Sequence, residues 1–324
     1  MIKKRVVYIL TTLILLVLVV SGCGESKQTA GASNTAEKGV LRIGYQKSAP
    51  MLLLKKKKLL ETNLGKLGYE VKWYEFNTGI AVAEALSTGS IDFGGLGDSP
   101  SLFGKARGLD FVYVASEPSV PQSEGILVKD SSSIQTIKDL KGKKVAFNKA
   151  SISQYLLLKA LKSEGMTIDD VEPVYLNPPE ASIAFSQGQV DAWVTWEPYF
   201  TTTANQGGRV LVTGTNFVSL RSFYISSNAF TKEHPKAIKQ VVLELQKIGK
   251  EINENPSEAA ELVSEATKIP VSTWKEILSK KPADIQFMDE QAVRDLQTQA
   301  DDLLEMKLID TKIQVAKSAW TPTK

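Results

Sequence analysis

The chain has 324 residues, of which 43% are hydrophobic, 23% charged and 8% aromatic. This profile is typical of a well-packed globular protein with room for two domains, and it excludes a disordered or collagen-like chain. Without Lys3, Lys4 and Arg5 at the N-terminus, 36 basic residues balance 36 acidic ones. A balanced chain has no overall field that attracts nucleic acid, so we expect no nucleic-acid partner.

The N-terminus has a basic tip and then an apolar run from Val6 to Val20, followed by small residues. A membrane-spanning helix needs about 20 apolar residues, so this shorter run predicts a secretory signal peptide over residues 1–22. The junction Val20-Ser21-Gly22-Cys23 resembles the lipobox of bacterial lipoproteins, in which the Cys is lipidated. The alternative is a free thiol, since Cys23 is the single Cys of the chain.

Residues 23–39 are polar and small, which predicts a lipidated flexible tether and a folded part that starts at Val40. Lipidation places the exported chain on the outer face of the cell membrane. A domain of this size needs no disulfide, which agrees with the cysteine count.

From Val40, short β-type runs alternate with helical stretches, a rhythm that indicates βαβ units and parallel sheets. The predicted strands are Leu41–Tyr45, Val71–Phe76, Ile91–Phe93, Phe111–Val114, Ile126–Val128, Lys144–Phe147, Pro173–Leu176, Ala192–Trp196, Val210–Val212 and Phe223–Ser226. The predicted helices are Met51–Leu67, Ile80–Ser87, Ser101–Arg107, Ile137–Leu140, Tyr155–Ser163, Ala181–Gln187, Pro235–Asn253, Pro256–Lys268, Ser272–Ser279 and Glu290–Met306. Glycines that follow the helices, such as Gly65 and Gly89, are expected C-terminal stops.

The simplest assembly is an α/β fold with two lobes. Lobe one contains residues 40–124 and 220–324, and lobe two contains residues 125–219. Two crossings between the lobes form a hinge. Because ligands bind at the carboxyl ends of parallel strands, the two facing lobes predict a single binding cleft.

The segment Gly97-Asp98-Ser99 precedes a helix and is our first candidate for binding an anion. Backbone N–H groups at a helix N-terminus attract anions, although an ordinary capped turn explains the same residues equally well. The segment Lys149-Ala150-Ser151 is the counterpart in lobe two. Lys149 is more often a solvated side chain than a ligand.

Trp196 and Glu197 stand at the end of a predicted strand, where they can reach the cleft. Trp193 faces the opposite side of that strand and is expected in the core. Glu197 either holds the polar tail of a ligand or caps the next helix, two alternatives of equal weight. Further candidates are Gln46, after the first strand, and Ser123 and Arg221, at the two crossings.

An extracytoplasmic enzyme is the alternative from another class, and the sequence gives it little support. The lone His234 stands at a predicted helix start, where a solvated side chain is expected. The sequence contains no Gly-x-Ser-x-Gly motif and no His, Cys and Asp cluster at metal spacing. We therefore expect no catalysis, no metal and no cofactor.

Four ordered segments carry a resemblance to a known family. They are Ile43-Gly44-Tyr45-Gln46-Lys47, Gly97-Asp98-Ser99-Pro100, Asp139 to Ala146, and Val190 to Tyr199 with its two Trp residues. From Val40 to Trp320 the chain resembles the aliphatic-sulfonate-binding lipoproteins of ABC importers. These are type 2 periplasmic binding proteins of the nitrate, sulfonate and taurine group.

The resemblance implies a monomer that binds a small organic anion between Gly97–Ser99 and Lys149–Ser151 and delivers it to a permease and its ATPase. Taurine, nitrate and thiamine precursors are alternative ligands in related proteins. The chain departs from the family pattern at Lys58, Ile80, Leu96 and Ala150, where Gly, Pro, Thr and Gly are usual. Leu96 and Ala150 flank the predicted anion site, so they bear on the identity of the ligand.

Overall fold

A computed structural model describes residues 39–322 of the chain, and these residues belong to one compact unit. The predicted signal peptide, the predicted lipidation site Cys23 and the predicted tether up to residue 38 lie outside the described residues. The first strand begins at Gly39, one residue before the predicted start of the folded part. No helix of the described chain has both the length and the apolar composition needed to cross a membrane.

The larger of two sheets has six strands in the order β11-β4-β10-β3-β1-β2, numbered along the chain. They are β1 (Gly39–Tyr45), β2 (Tyr69–Glu75), β3 (Phe93–Gly97), β4 (Phe111–Ser116), β10 (Ser222–Ser227) and β11 (Gln286–Phe287). β1 is parallel to β2 and β3, as predicted. β10 is antiparallel to β3 and β4, because the returning chain enters the sheet at the edge where β3 ends, with Ser222 opposite Gly97.

The second sheet has five strands in the order β7-β6-β8-β5-β9. They are β5 (Glu124–Lys129), β6 (Lys144–Phe147), β7 (Glu172–Tyr175), β8 (Ala192–Trp196) and β9 (Gly208–Thr213). β6 is parallel to β7 and β8, whereas β5 is antiparallel to β8 and β9. Both sheets are therefore mixed rather than purely parallel, since each contains a strand that starts directly after a crossing.

Twelve α-helices surround the sheets in the described residues. They are α1 (Ala49–Lys56), α2 (Leu59–Gly65), α3 (Gly79–Ser87), α4 (Asp98–Ala106), α5 (Ile152–Ser163), α6 (Pro178–Ser186), α7 (Tyr199–Ala204), α8 (Asn228–Glu233), α9 (Pro235–Glu254), α10 (Pro256–Thr267), α11 (Val271–Lys280) and α12 (Glu290–Glu305). The predicted helix Ile137–Leu140 is a single 3₁₀ turn. The short helices α7 and α8 were not predicted.

The helix predicted over Met51–Leu67 is two helices, because Lys58 interrupts it with a left-handed backbone (φ 51°). A side chain with a Cβ is strained in this conformation, so a helix does not continue through it. Gly65 is the last residue of α2 and not its stop. The left-handed stop is Gly68, with φ 86°.

The glycine-rich segment after Phe93 is part of a strand and not a loop. β3 spans Phe93–Gly97 and pairs with β1 on one side and β10 on the other, so the predicted strand Ile91–Phe93 was placed too early. Gly94 is required because a Cβ there would lie 2.5 Å from Cγ1 of Val82 on α3. Because α3 packs closely on β3, the strand continues to Gly97, and the chain turns into α4 at Asp98.

Both faces of each sheet are covered. Helices α1, α9, α10 and α11 supply the core on one face of the first sheet, and α3, α4 and α12 supply it on the other. The second sheet packs against α5 on one face and against α6 and α7 on the other. Trp193 belongs to this last core and is 1% exposed, which confirms the prediction.

Candidate functional site

Residues of both sheets line a cavity of about 110 Å³. Ser123 lies in the connection from β4 to β5, and Arg221 lies in the connection from β9 to β10. Seven of the ten predicted site residues line the cavity, namely Gln46, Gly97, Ser123, Ser151, Trp196, Glu197 and Arg221. Asp98, Ser99 and Ala150 are buried and do not line it.

The N-terminus of α4 is occupied by the protein's own carboxylate. The Asp98 N–H donates to the carbonyl oxygen of Arg221 (3.1 Å), and the Ser99 N–H donates to Oδ1 of Asp98 (2.6 Å). The Ser99 hydroxyl accepts a hydrogen bond from Gln299 (2.7 Å). The N–H groups of Asp98 and Ser99 therefore have partners inside the protein, while Gly97 lines the cavity. Anion binding by the segment Gly97–Ser99 stays a prediction.

Two buried carboxyl groups lie close to this turn. Burial raises the pKa of Asp98 to about 6, although hydrogen bonds from Arg221, Ser99 and Gln299 oppose the change. Glu124, the first residue of β5, is 0% exposed. Burial, and next the charge of Asp98, raise its pKa well above the ordinary value. Neither oxygen of Glu124 has a hydrogen-bond partner within residues 39–322, so the neutral acid is the favoured form.

Ser151 precedes α5 and lines the cavity. Its hydroxyl donates to the carbonyl oxygen of Asn148 (2.6 Å) and lies 2.8 Å from the hydroxyl of Ser153. Ala150 has a left-handed backbone with φ 54°, and its N–H donates to Gln154 (2.8 Å). Lys149 is exposed, as predicted, and its ammonium lies 5.7 Å from the ring centre of Tyr175.

Trp196 ends β8 and is half-buried on the cavity wall, where it packs against the core that contains α4 and α12. Glu197 follows it and also lines the cavity. Its carboxylate accepts hydrogen bonds from the N–H (3.1 Å) and the hydroxyl (2.7 Å) of Thr201. Glu197 therefore accepts hydrogen bonds from the first turn of α7, as one of the two alternatives predicted, and it also lines the cavity.

The guanidinium of Arg221 is held by protein partners. Its Nε and one terminal nitrogen both lie 2.7 Å from Oδ2 of Asp295 on α12, and its other terminal nitrogen donates to the carbonyl oxygen of Glu117 (2.9 Å). The sequence pointed to Arg221 but not to Asp295, which lies on a helix predicted only as amphipathic. These partners hold the guanidinium of a residue that lines the cavity in a fixed position.

The cavity residues that sequence reasoning missed include Glu117, Tyr224 and Lys281. The Tyr224 hydroxyl donates to Oε1 of Glu117 (2.7 Å), and the Lys281 ammonium lies 3.2 Å from Oε2. Burial raises the pKa of Tyr224 well above its ordinary value. Glu117 directly follows β4, just as Gln46 directly follows β1, so the rule for strand ends identifies it. Nothing in the sequence pattern identifies Lys281.

The lone histidine stands apart from the cavity. His234 precedes α9, as predicted, but its ring is only 35% exposed, packed against Phe230 and 2.9 Å from the hydroxyl of Tyr69. It is therefore partly buried rather than solvated. In the range 39–322 no three His, Cys, Asp or Glu residues are placed to hold a metal ion.

Two mixed sheets joined by two connections, with one cavity bordered by both, define the type 2 periplasmic-binding-protein fold. A family model described as NMT1/THI5 like matches residues 66–259. An aliphatic sulfonates-binding protein of Escherichia coli (strain K12) is 38% identical over 87% of this chain and 89% of its own length. A protein of the same name from Bacillus subtilis (strain 168) is 34% identical over 94% of this chain and 92% of its own.

Among solved structures, the alkanesulfonate-binding protein SsuA from Xanthomonas axonopodis pv. citri bound to MOPS has a TM-score of 0.82 at 33% identity. The match covers 88% of this chain and 99% of that one. The chain belongs to the NMT1/THI5-like family and, within it, to the family of the aliphatic sulfonates-binding proteins.

Proposed function

We propose that the protein is the extracytoplasmic solute-binding component of an ABC importer and that it captures aliphatic sulfonates. The observation that carries the proposal is the hydroxyl of Ser123. It is buried, lies on the cavity wall at the first connection between the sheets, and has no hydrogen-bond partner in the described part of the chain. A buried hydroxyl without a partner is costly, and a ligand oxygen removes this cost.

The polar end of the ligand is placed by the hydroxyl of Ser123, the backbone N–H of Ser151, whose hydroxyl already donates to Asn148, and the guanidinium N–H groups of Arg221 that have no partner in the described residues. Trp196, Leu220 and Phe76 line the same cavity and offer an apolar surface for the carbon chain. A sulfonate has three oxygens and no proton to donate at neutral pH, so donors from both connections suit it. The names of the two relatives with more than 30% identity support the same ligand class.

Capture requires that the two predicted lobes, 40–124 with 220–324 and 125–219, close over the ligand. Contacts between these segments already exist: Tyr155 on α5 donates to Asp302 on α12 (2.6 Å), and Asn205 donates to Glu276 (3.1 Å). A ligand that touches both lobes favours the arrangement in which they are together. The closed protein then presents the ligand to the permease.

The exported chain is held at the outer face of the cell membrane by lipid on Cys23 and acts as a monomer. Its partners are the permease and, through the permease, the ATPase. Labelling of intact cells with a radioactive or alkyne-bearing fatty acid tests the anchor, because Cys23→Ser removes the acceptor thiol. Label that persists in Cys23→Ser contradicts this part of the proposal.

Thermal unfolding of residues 24–324 tests the ligand class, with methane-, ethane-, butane- and hexanesulfonate, taurine, sulfate, nitrate and thiamine precursors as additives. A ligand at one hundred times its Kd stabilises the fold by about 2.7 kcal/mol, which raises the Tm by several degrees. We expect a saturable rise with alkanesulfonates. A Tm that rises only with nitrate, taurine or a thiamine precursor identifies that solute as the ligand instead.

The variant Ser123→Ala tests the site. A hydrogen bond to a charged group contributes about 1.5–3 kcal/mol, so we expect the affinity for butanesulfonate to fall at least about ten-fold. Ser186→Ala is the matched control, because Ser186 is exposed and its hydroxyl bonds only within α6. Equal affinities of Ser123→Ala and the unmodified protein count against this cavity wall as the anion site.

A further inference from the structure

Helix α12 carries three polar side chains that bind parts of the protein around the cavity. They are Asp295, Gln299 and Asp302, which follow one another at steps of four and three residues along the helix. Side chains at this spacing share one face of an α-helix. We call these three residues the α12 stripe.

The first two members of the α12 stripe bind groups of lobe one that border the cavity or lie directly behind its wall. Asp295 accepts from Nε of Arg221 (2.7 Å), and Gln299 donates to the Ser99 hydroxyl (2.7 Å). Gln299 and Ser99 are both buried. The stripe therefore fixes the second connection between the sheets and the start of α4 to the same helix.

The third member of the α12 stripe binds lobe two. Oδ2 of Asp302 accepts hydrogen bonds from the Tyr155 hydroxyl (2.6 Å) and from the Lys159 ammonium (2.7 Å), both on α5. The side chains of Asp302 and Lys159 are 29% and 30% exposed, so water and salt screen this ion pair only in part. Ser151, which lines the cavity, directly precedes α5. Asp302 thus holds the helix that starts at the opposite wall of the cavity.

Apolar side chains accompany the bonds of Asp302. Ile152 and Tyr155 on α5 belong to the same core as Leu296 and Leu303 on α12, and all four residues are buried. A movement of lobe two away from lobe one separates α5 from α12, which exposes this apolar surface and breaks the bonds of Asp302. These contacts therefore stabilise the arrangement in which the two lobes are together, which we call the closed arrangement.

We propose that Asp302 is a positioning residue for solute capture, because it holds α5 against α12 and so determines what fraction of the molecules is closed before the solute binds. The inference rests on the proposed function and adds a contact that regulates affinity from outside the cavity. Asp302 does not line the cavity, so it acts on the solute only through α5.

The effect on affinity follows from the closed fraction. A solute that is held by donors of both lobes binds the closed arrangement only. Its apparent Kd is the Kd of the closed protein divided by the closed fraction, so a smaller closed fraction raises the apparent Kd. Loss of Asp302 therefore weakens binding although no contact with the solute is removed.

The variant Asp302→Ala tests the inference by isothermal titration of butanesulfonate into residues 24–324. We expect the apparent Kd to rise about five-fold or more. Tyr155→Phe removes one of the two donors to Asp302 and serves as a second variant, for which we expect a smaller rise. Asp301→Ala is the matched control, because Asp301 is exposed on the same helix and accepts a hydrogen bond from Gln297 of that helix. We expect the Kd of this control to equal that of the unmodified protein.

The separation of α5 from α12 distinguishes positioning from a general loss of stability. The single Cys of the chain is Cys23, so residues 24–324 accept spin labels at two introduced thiols, Ser163→Cys on α5 and Thr298→Cys on α12. Both positions are exposed. Electron paramagnetic resonance measures the distance between the labels. Without butanesulfonate we expect a longer mean distance in Asp302→Ala than in the unmodified protein, and with saturating butanesulfonate the same distance in both.

Two results overturn the inference and leave the proposed function in place. One is a label distance that Asp302→Ala does not change, and the other is an apparent Kd that Asp302→Ala does not change. Absence of binding by every sulfonate to the unmodified protein is a different result, since it overturns the proposed function and this inference with it.

Discussion

Asp98 and Arg221 are joined by two hydrogen bonds that run in opposite directions. The Asp98 N–H donates to the carbonyl oxygen of Arg221, and the Arg221 N–H donates to Oδ2 of Asp98, each at 3.1 Å. The start of α4 is thereby fixed to the chain that returns from the second sheet. A movement of this second connection is coupled directly to the position of α4.

The buried carboxyl of Asp98 predicts a pH-dependent contribution to stability. Because the pKa of Asp98 is about 6 in the folded protein and about 3.8 ordinarily, the folded state binds the proton more tightly. The contribution of Asp98 to the free energy of unfolding therefore decreases as the pH rises from about 4 to about 6, by about 3 kcal/mol in total.

The measurement is urea unfolding between pH 4 and pH 7 of the unmodified protein and of Asp98→Asn, which does not titrate. We expect the free energy of unfolding of the unmodified protein to fall relative to that of Asp98→Asn as the pH rises. Using the difference removes the opposite contribution of Asp302. Burial raises the pKa of Asp302, but the hydrogen bonds from Lys159 and Tyr155 outweigh burial, so this pKa is lowered. A difference that is constant with pH contradicts the prediction.

Glu124 is predicted to carry a proton at a pH where an ordinary Glu is ionised. Its burial without a hydrogen-bond partner in the described residues disfavours the charged form. Infrared spectra at pH 6 detect a protonated carboxyl by its C=O stretching band. We expect Glu124→Gln to lose intensity in this band, while the exposed Glu84→Gln keeps it. Identical spectra of Glu124→Gln and the unmodified protein exclude a neutral Glu124.

Ala150→Gly is predicted to stabilise the fold. Ala150 has φ 54°, a conformation that costs a residue with a Cβ about 1–2 kcal/mol, part of which is lost again through the greater freedom of Gly in the unfolded chain. We expect a net gain of about 0.5–1 kcal/mol. Ala160→Gly on α5 is the control and destabilises, because Ala160 lies inside a helix. Chemical unfolding measures both, and a loss of stability in Ala150→Gly refutes the prediction.

Tyr155→Phe is predicted to weaken the contact between α5 and α12. The change removes the hydroxyl that donates to Asp302 at 2.6 Å, a hydrogen bond to a charged group that contributes about 1.5–3 kcal/mol. Tyr175→Phe is the matched control, because Tyr175 is 53% exposed. We expect a lower free energy of unfolding for Tyr155→Phe only, measured by urea unfolding. Equal values for the two variants contradict a stabilising role of this bond.

The strands could be predicted where the local pattern of apolar and polar residues determines their position. Lys144–Phe147 and Ala192–Trp196 coincide with β6 and β8, because apolar β-formers there are bounded by polar residues. β3 was placed too early because glycines normally favour turns, and only close packing against Val82 explains why they lie in a strand. Contacts with distant parts of the chain determine whether such a segment is a strand or a turn, and these contacts cannot be read from a single sequence.

The site was predictable where a residue follows a strand and not where a distant helix supplies the partner. Gln46, Ser151 and Trp196 line the cavity as the strand-end rule implies. Asp295 and Lys281 lie on or after helices of the C-terminal part, and their pairing with Arg221 and Glu117 depends on how those helices pack. Two departures from the family pattern, Lys58 and Ala150, have a common explanation, since both have positive φ where Gly is usual.

The strand order of the first sheet has a consequence for the order of folding. β10 lies between β3 and β4, so a chain that ends before Ser222 leaves that sheet in two unconnected pieces. The second sheet is built entirely from residues 124–213, a continuous stretch, and its pairings are available as soon as Thr213 has been made. The sheet in the middle of the chain can therefore be completed first, whereas β3 and β4 gain their shared neighbour only after β10 has been synthesised.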